Sequence, residues 1–241
     1  QGASAEAVPL QARALALWTE LHGDGHPLVA LARNNLGNAY NGAGAFTEAI
    51  EQHERALEIR EQALGEDHPA VAVSLSNLGL TYNRMGRYAD ALRVHERALA
   101  IRERVFAEDH PDLLESLNNL ATTHDNLNRN DAALAMYARA LQILARSATP
   151  NPTLQATLLY NSGRLMASAG DHEGAATRLR QAADIFAQAL GEDHLKVSYP
   201  LASLAMLRLR AGDNDDAARL IAQALAIREA KLGKDHPDVA S

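Results

Sequence analysis

His26, His68, His110, His194 and His236 stand on one lattice of 42 residues, and Pro152 fills its vacant slot. Pro27, Pro69, Pro111 and Pro237 follow four of these histidines, while Gly65-Glu66-Asp67, Gly191-Glu192-Asp193 and Gly233-Lys234-Asp235 precede three of them. A period of this length means that one supersecondary unit is stacked on copies of itself, because a single unit cannot bury its own apolar face. That constraint removes most folds at once.

Each unit divides into two helices. Proline after a polar residue opens helix A. Gly44, Gly86, Gly170 and Gly212 then mark the turn between helices. Helix B carries Ala49, Ala91, Ala133, Ala175 and Ala217 at one slot, and Ala56, Ala98, Ala140, Ala182 and Ala224 seven residues on. Small side chains at that spacing let helices approach closely. Helix A has Leu36, Leu78, Leu120 and Leu204, followed by Gly37, Gly79, Ala121, Gly163 and Ala205, with Tyr40 and Tyr82 three residues beyond. Only 4% of the chain is aromatic, and Ala and Leu supply much of the 47% that is apolar, which favours packed helices over sheets.

Leu-Gly, then Tyr, then two spaced alanines resembles the tetratricopeptide repeat (TPR). The 42-residue period and the stretch HPAVAVSLSNLGLTYNRMGRYADALRVHERALAIRE from His68 are similar to the repeats of kinesin light chains and their bacterial relatives. The resemblance implies an all-α fold, a right-handed α-solenoid of antiparallel helix pairs, forming a single array over residues 1–241. Its units are the second helix of a partial repeat at 5–25, repeats at 26–67, 68–109, 110–151, 152–193 and 194–235, and the start of another at 236–241. The chain begins at Gln1 without Met, stops within a motif and lacks evident polar end caps, so we expect a piece of a longer protein whose repeat ends self-associate. Twenty Arg against three Lys point to a GC-rich bacterial source.

Two places depart from the pattern. The junction Ser147-Ala148-Thr149-Pro150-Asn151-Pro152 lacks the Gly-Glu-Asp-His signature, so a differently shaped loop is expected there. Pro200 lies within a helix A, where it removes a backbone donor and clashes with the preceding turn, predicting a kink or a late helix start.

The candidate site is an asparagine ladder on helix A: Asn35, Asn77, Asn119 and Asn161, with Ser203 in the last repeat. Asn inside a helix costs roughly 0.6 kcal/mol against Ala, about 2–3 kcal/mol for four. In the families that the sequence resembles, this slot holds the backbone of an extended peptide in the concave groove. An amide suits that role because it both donates and accepts. Helices about 10 Å apart meet an extended chain, at ~3.3 Å per residue, roughly every third residue. The other reading is that these amides bond between neighbouring A helices and serve packing.

Around the ladder the same face is expected to include Asn34, Ser76 and Asn118, then Asn38, Thr122 and Arg164, then Asn41, Asn83, Arg84, Asp125, Asn126 and Arg210. These vary between units, as residues reading a partner's side chains would. Arg84, Arg164 and Arg210 either attract acidic residues, as basic groove residues do in kinesin light chains, or form a solvated face; Asp125 and Glu115 oppose the first reading.

Other functions find little support. Lattice histidines about 10 Å apart cannot share a zinc ion with ~2.0 Å bonds, and are read as neighbours of helix N-caps. His53 and His95 replace a bulky residue of helix B and are expected between helices. No HExxH, nucleophile elbow, P-loop or dinucleotide fingerprint occurs. We therefore expect no catalysis, metal or cofactor. A net charge of −7 argues against nucleic acid, and no apolar run nears the ~20 residues that span a bilayer. No cysteine is present, which fits the cytoplasm. The expected partner is a protein or peptide, acidic or disordered. The alternatives are a self-assembling scaffold, or the regulatory or sensor arm of a larger bacterial enzyme. No heptad segment suggests kinesin-type transport.

Overall fold

The computed structural model describes residues 2–148, 150–234, 236 and 239, with side chains from residue 7 onward. Thr149 of the atypical junction, Asp235 and Pro237 of the last motif, and most of the expected repeat start at 236–241 lie outside the described residues. The described residues form eleven helices and no strand. They divide into two compact units, residues 1–129 and 130–241.

Unit 1 contains α1 (Gly2–His22), α2 (Pro27–Ala43), α3 (Phe46–Leu64), α4 (Pro69–Arg84), α5 (Tyr88–Val105) and α6 (Leu113–Asn126). Helices pack on their neighbours in chain order, and the A helix α4 also touches the A helices α2 and α6. The lattice histidines explain where A helices begin. His26 and His68 have extended backbones, and each Nδ1 accepts a hydrogen bond from the amide two residues on, Leu28 at 3.2 Å and Ala70 at 3.1 Å. An imidazole thus does the work usually given to Ser or Asp at an N-cap. His110 accepts likewise from Asp112 at 3.2 Å, but Pro111 and Asp112 form a turn and α6 starts only at Leu113. At the inter-helix turn of this repeat Asn128 takes φ 56°, the left-handed conformation that Gly44 adopts (φ 81°) two repeats earlier. Asn tolerates it better than other side chains.

Unit 2 contains α7 (Asn130–Arg146), α8 (Pro152–Ser168), α9 (His172–Leu190), α10 (Leu195–Arg210) and α11 (Asn214–Leu232). At the atypical junction the Asn151 side chain replaces histidine as the cap of α8, accepting from Leu154 N at 3.0 Å. Asp171 and Asp213 cap α9 and α11. Pro200 does not delay α10. The helix opens at its His194 cap and continues through the proline to Arg210, with Pro200 buried. Only one donor is lost from a helix already held by its neighbours.

The alanine slots lie in the cores. Ala49, Ala56, Ala91 and Ala98 in unit 1, and Ala133, Ala140, Ala175, Ala182 and Ala217 in unit 2, are fully buried. Leu36, Leu78, Leu120 and Leu204 are buried beside them. Each such leucine stabilises by about 1.5–3 kcal/mol.

Candidate peptide-binding face

On an A helix, residues four before and three after the ladder asparagine share its face. In unit 1 these are Leu31, Asn35 and Asn38 on α2, then Val73, Asn77 and Leu80 on α4, then Glu115, Asn119 and Thr122 on α6. Leu31 is 47% exposed, and Val73 and Leu80 are each 39% exposed. The ladder is therefore flanked by open aliphatic side chains, which reading the polar slots alone had missed. Scanning the same lattice for apolar residues would have found them. In unit 2 the face carries Thr157, Asn161 and Arg164 on α8, and Tyr199, Ser203 and Met206 on α10, with Met206 exposed.

Asn35 is exposed, Asn77 and Asn161 are half-buried, and none of their side chains is hydrogen-bonded among the described residues. Asn119 is only 6% exposed, yet its Nδ2 has no partner; Oδ1 of the half-buried Asn118 is likewise unpaired. A buried amide group without a partner costs about 1–3 kcal/mol. Asn38, Asn126 and Arg164 are exposed.

Four predicted residues are engaged inside the array. Asn34 is a correction: it is buried and cannot reach a peptide. Its Oδ1 accepts from His53 Nδ1 at 3.0 Å, because helix α2 turns this residue toward α3. Asn41 donates to Thr81 Oγ1 at 2.7 Å, and Asn83 donates to Thr123 Oγ1 at 2.8 Å. Each of these bonds joins one A helix to the next. The Arg84 guanidinium donates to the Asn41 carbonyl at 3.1 Å, near the C-terminus of α2. The packing role considered for the ladder thus belongs to the slot six residues further along the helix. Ser76, also expected on this face, is buried.

Two buried histidines anchor this network. Gly37 and Gly79 leave room for them: a Cβ on Gly37 would lie 2.6 Å from His53 Cε1, and one on Gly79 would collide with the His95 ring. His53 donates from Nδ1 to Asn34, so its Nε2 accepts from Asn41 Nδ2 at 3.4 Å. His95 takes the opposite tautomer. Its Nε2 donates to the Ser76 carbonyl at 3.3 Å, and its Nδ1 accepts the hydroxyl of Thr123 at 2.9 Å. Burial, then Arg60, pulls His53 down to about 4. Burial chiefly does the same to His95, against the Ser76 bond and with Arg102. Both rings are neutral at pH 7.

Buried arginines tie the B helices α3 and α5 to the A helices that follow them, a feature not anticipated from the sequence. Arg60 donates to the Ala70 carbonyl at 2.9 Å and to Ser74 Oγ at 2.8 Å. Arg102 donates to Ser116 Oγ and pairs with Glu115 at 2.9 Å. The pairing of Arg-Ser at two lattice slots was the available signal.

The tetratricopeptide repeat family matches residues 1–62, 32–104, 75–146 and 154–230. No curated protein matches. Among solved structures, BtubC (BKLC) from P. vanneervenii is 24% identical over 98% of this chain and 92% of its own, with a TM-score of 0.74. The nearly identical TPR-like repeats of a Podospora anserina putative kinesin light chain are 23% identical over 86% and 98%, with a TM-score of 0.71. A Rap protein complexed with competence and sporulation factor is 18% identical over 89% and 62%, with a TM-score of 0.69. Family matches along most of the length, together with the stacked helix pairs, identify the chain as a member of the tetratricopeptide repeat family.

Proposed function

We propose that this chain is a non-catalytic interaction module of the cytoplasm that holds an extended, disordered segment of a partner protein along its A helices. The observation that carries this reading is the set of ladder amides left without partners beside open aliphatic side chains. On unit 1, Asn35 and Asn77 would bracket the segment's backbone, and Asn119 and Asn118 Oδ1 would join them once these buried groups turn outward; on unit 2, Asn161 offers the same amide. Leu31, Val73 and Leu80 would meet apolar side chains, and Asn38, Asn126 and Arg164 would read polar or acidic ones. Support comes from the family, whose members bind proteins or peptides, and from the likeness to a Rap protein solved with its factor.

The test is a display screen of random and proteomic peptides against the whole chain, with N77A/N119A in parallel. Enriched peptides should bind the variant about 10–100-fold more weakly, as loss of two backbone-reading amides implies. N35A/N77A, which truncates no fully buried side chain, separates recognition from folding. Full retention of affinity in both folded variants would overturn the reading.

A second reading rests on α1, which exposes Leu10, Leu17 and Leu21 as an apolar stripe. Copies would associate through this helix. Light scattering over a concentration series should then show growth that L17E/L21E abolishes; a persistent monomer removes the idea.

A further inference from the structure

In unit 1 the B helices α3 and α5 are bridged by arginines that the pair α9 and α11 of unit 2 lacks. Arg55 pairs with Glu58 at 2.8 Å within α3, whereas Arg97 of α5 crosses to Glu61 at 2.6 Å and Glu66 at 3.8 Å. Arg104 pairs with Asp67. Three repeats on, the lattice retains carboxylates at three of these slots, as Asp184, Glu192 and Asp193. The arginine slots now hold Gln181, Gln223 and Ala230, and the slot of Glu61 holds Ala187. None of the three carboxylates has an ion-pair partner among the described residues.

Where those side chains are missing, a cavity of about 470 Å³ lies between α9, α10 and α11. Its floor is apolar, with Val197, Leu201 and Ile227, and its walls include Ala187 and Ala230. Asp184, Glu192 and Asp193 line it too, bringing three negative charges to a greasy slot. Lys196 does not neutralise them by ion pairing; its ammonium stands 5.9 Å from the centroid of the Phe186 ring.

We propose that this cavity receives an arginine side chain from a partner polypeptide, supplying in trans the guanidinium that unit 1 supplies in cis. The aliphatic stem covers the floor while the planar fork meets Glu192 and Asp193. Within the same molecule, the counterparts Glu66 and Asp67 both hold guanidinium groups, which favours arginine over a bare cation. An apolar floor likewise favours a stem-bearing ligand. The site lies on the B helices and is independent of the A-helix face.

The test uses the whole ¹⁵N-labelled chain titrated with an acetylated, amidated Ala-Arg-Ala-Arg-Ala peptide, and with the same peptide carrying neutral citrulline for arginine. Saturable shifts are expected at the amides of Glu192, Asp193, Gln223 and Ala230, with citrulline at least tenfold weaker. Q223R/A230R reproduces the unit 1 arrangement and should abolish the shifts. E192Q/D193N keeps the cavity, removes its charge and should weaken binding at least tenfold, so the proposal stays testable if the first variant fails to fold. N77A/N119A should bind normally. No saturable shift, equal binding of citrulline, or undiminished binding by folded Q223R/A230R or E192Q/D193N would overturn the proposal.

Discussion

At the scale of single residues, the Gly-His pairs decide how closely helices A and B approach. Placing His53 and His95 between helices was legible, because each stands where repeats elsewhere put a bulky residue. Their hydrogen bonds were not, since Asn34, Thr123 and the Ser76 carbonyl are distant in sequence and their directions depend on helix rotation. A methyl on Gly79 collides with the His95 ring, so Gly79→Ala should destabilise despite alanine's helical advantage of about 1 kcal/mol. Overpacking costs about 1–3 kcal/mol, and a collision with a whole ring belongs at the upper end, so we expect a net loss of about 1–2 kcal/mol in urea unfolding. Adding His95→Ala removes the obstacle. In that background Gly79→Ala should become stabilising, by up to about 1 kcal/mol; an unchanged sign would show that the ring does not limit the approach.

Between elements, the arginine-serine clamp shows how one lattice can carry two chemistries. Arg60 and Ser74 meet from α3 and α4, and Arg102 and Ser116 from α5 and α6. In the next repeat the same two slots hold Leu144 and Leu158, both buried. Burial lowers the affinity of the Arg60 guanidinium for its proton, and no carboxylate pairs with it among the described residues. The Arg60 clamp therefore rests on hydrogen bonds, whereas Arg102 adds its ion pair with Glu115. Arg60→Leu alone should cost about 1–3 kcal/mol, because Ser74 Oγ and the Ala70 carbonyl lose their donor. Arg60→Leu with Ser74→Leu copies the apolar pair and should recover much of that loss. A double-mutant cycle by urea unfolding checks this; additive costs would refute coupling. Helices, turns and alanine contacts were readable because each is written within one repeat period. Cross-repeat polar bonds had to be seen in three dimensions, which is why Asn34 was assigned to the wrong surface.

For the whole molecule, the uneven placement of buried histidines predicts an uneven response to acid. His53 and His95 both lie in unit 1, whereas the described residues of unit 2 bury no histidine, and Tyr137, Leu179 and Ile221 hold the equivalent slot there. Each of the two native rings is pulled from its ordinary 6.5 to about 4. Between those values the unfolded chain binds more protons than the folded one, so stability rises with pH. It is complete above 6.5 and is lost as pH falls toward 4. The slope is about 1.4 kcal/mol per pH unit for each histidine, so each contributes a loss of about 2 kcal/mol between pH 7 and pH 5. In a solenoid, stability is local to neighbouring repeats, so this loss should not spread evenly. Hydrogen-exchange protection factors, corrected for intrinsic rates, should fall at least tenfold more for α3 and α5 than for α9 and α11 over that interval. Replacing both histidines by leucine, the residue that α9 carries at this slot, should remove the difference. Equal losses in both units of the native chain, or an unchanged difference in the variant, would place the acid sensitivity in other groups.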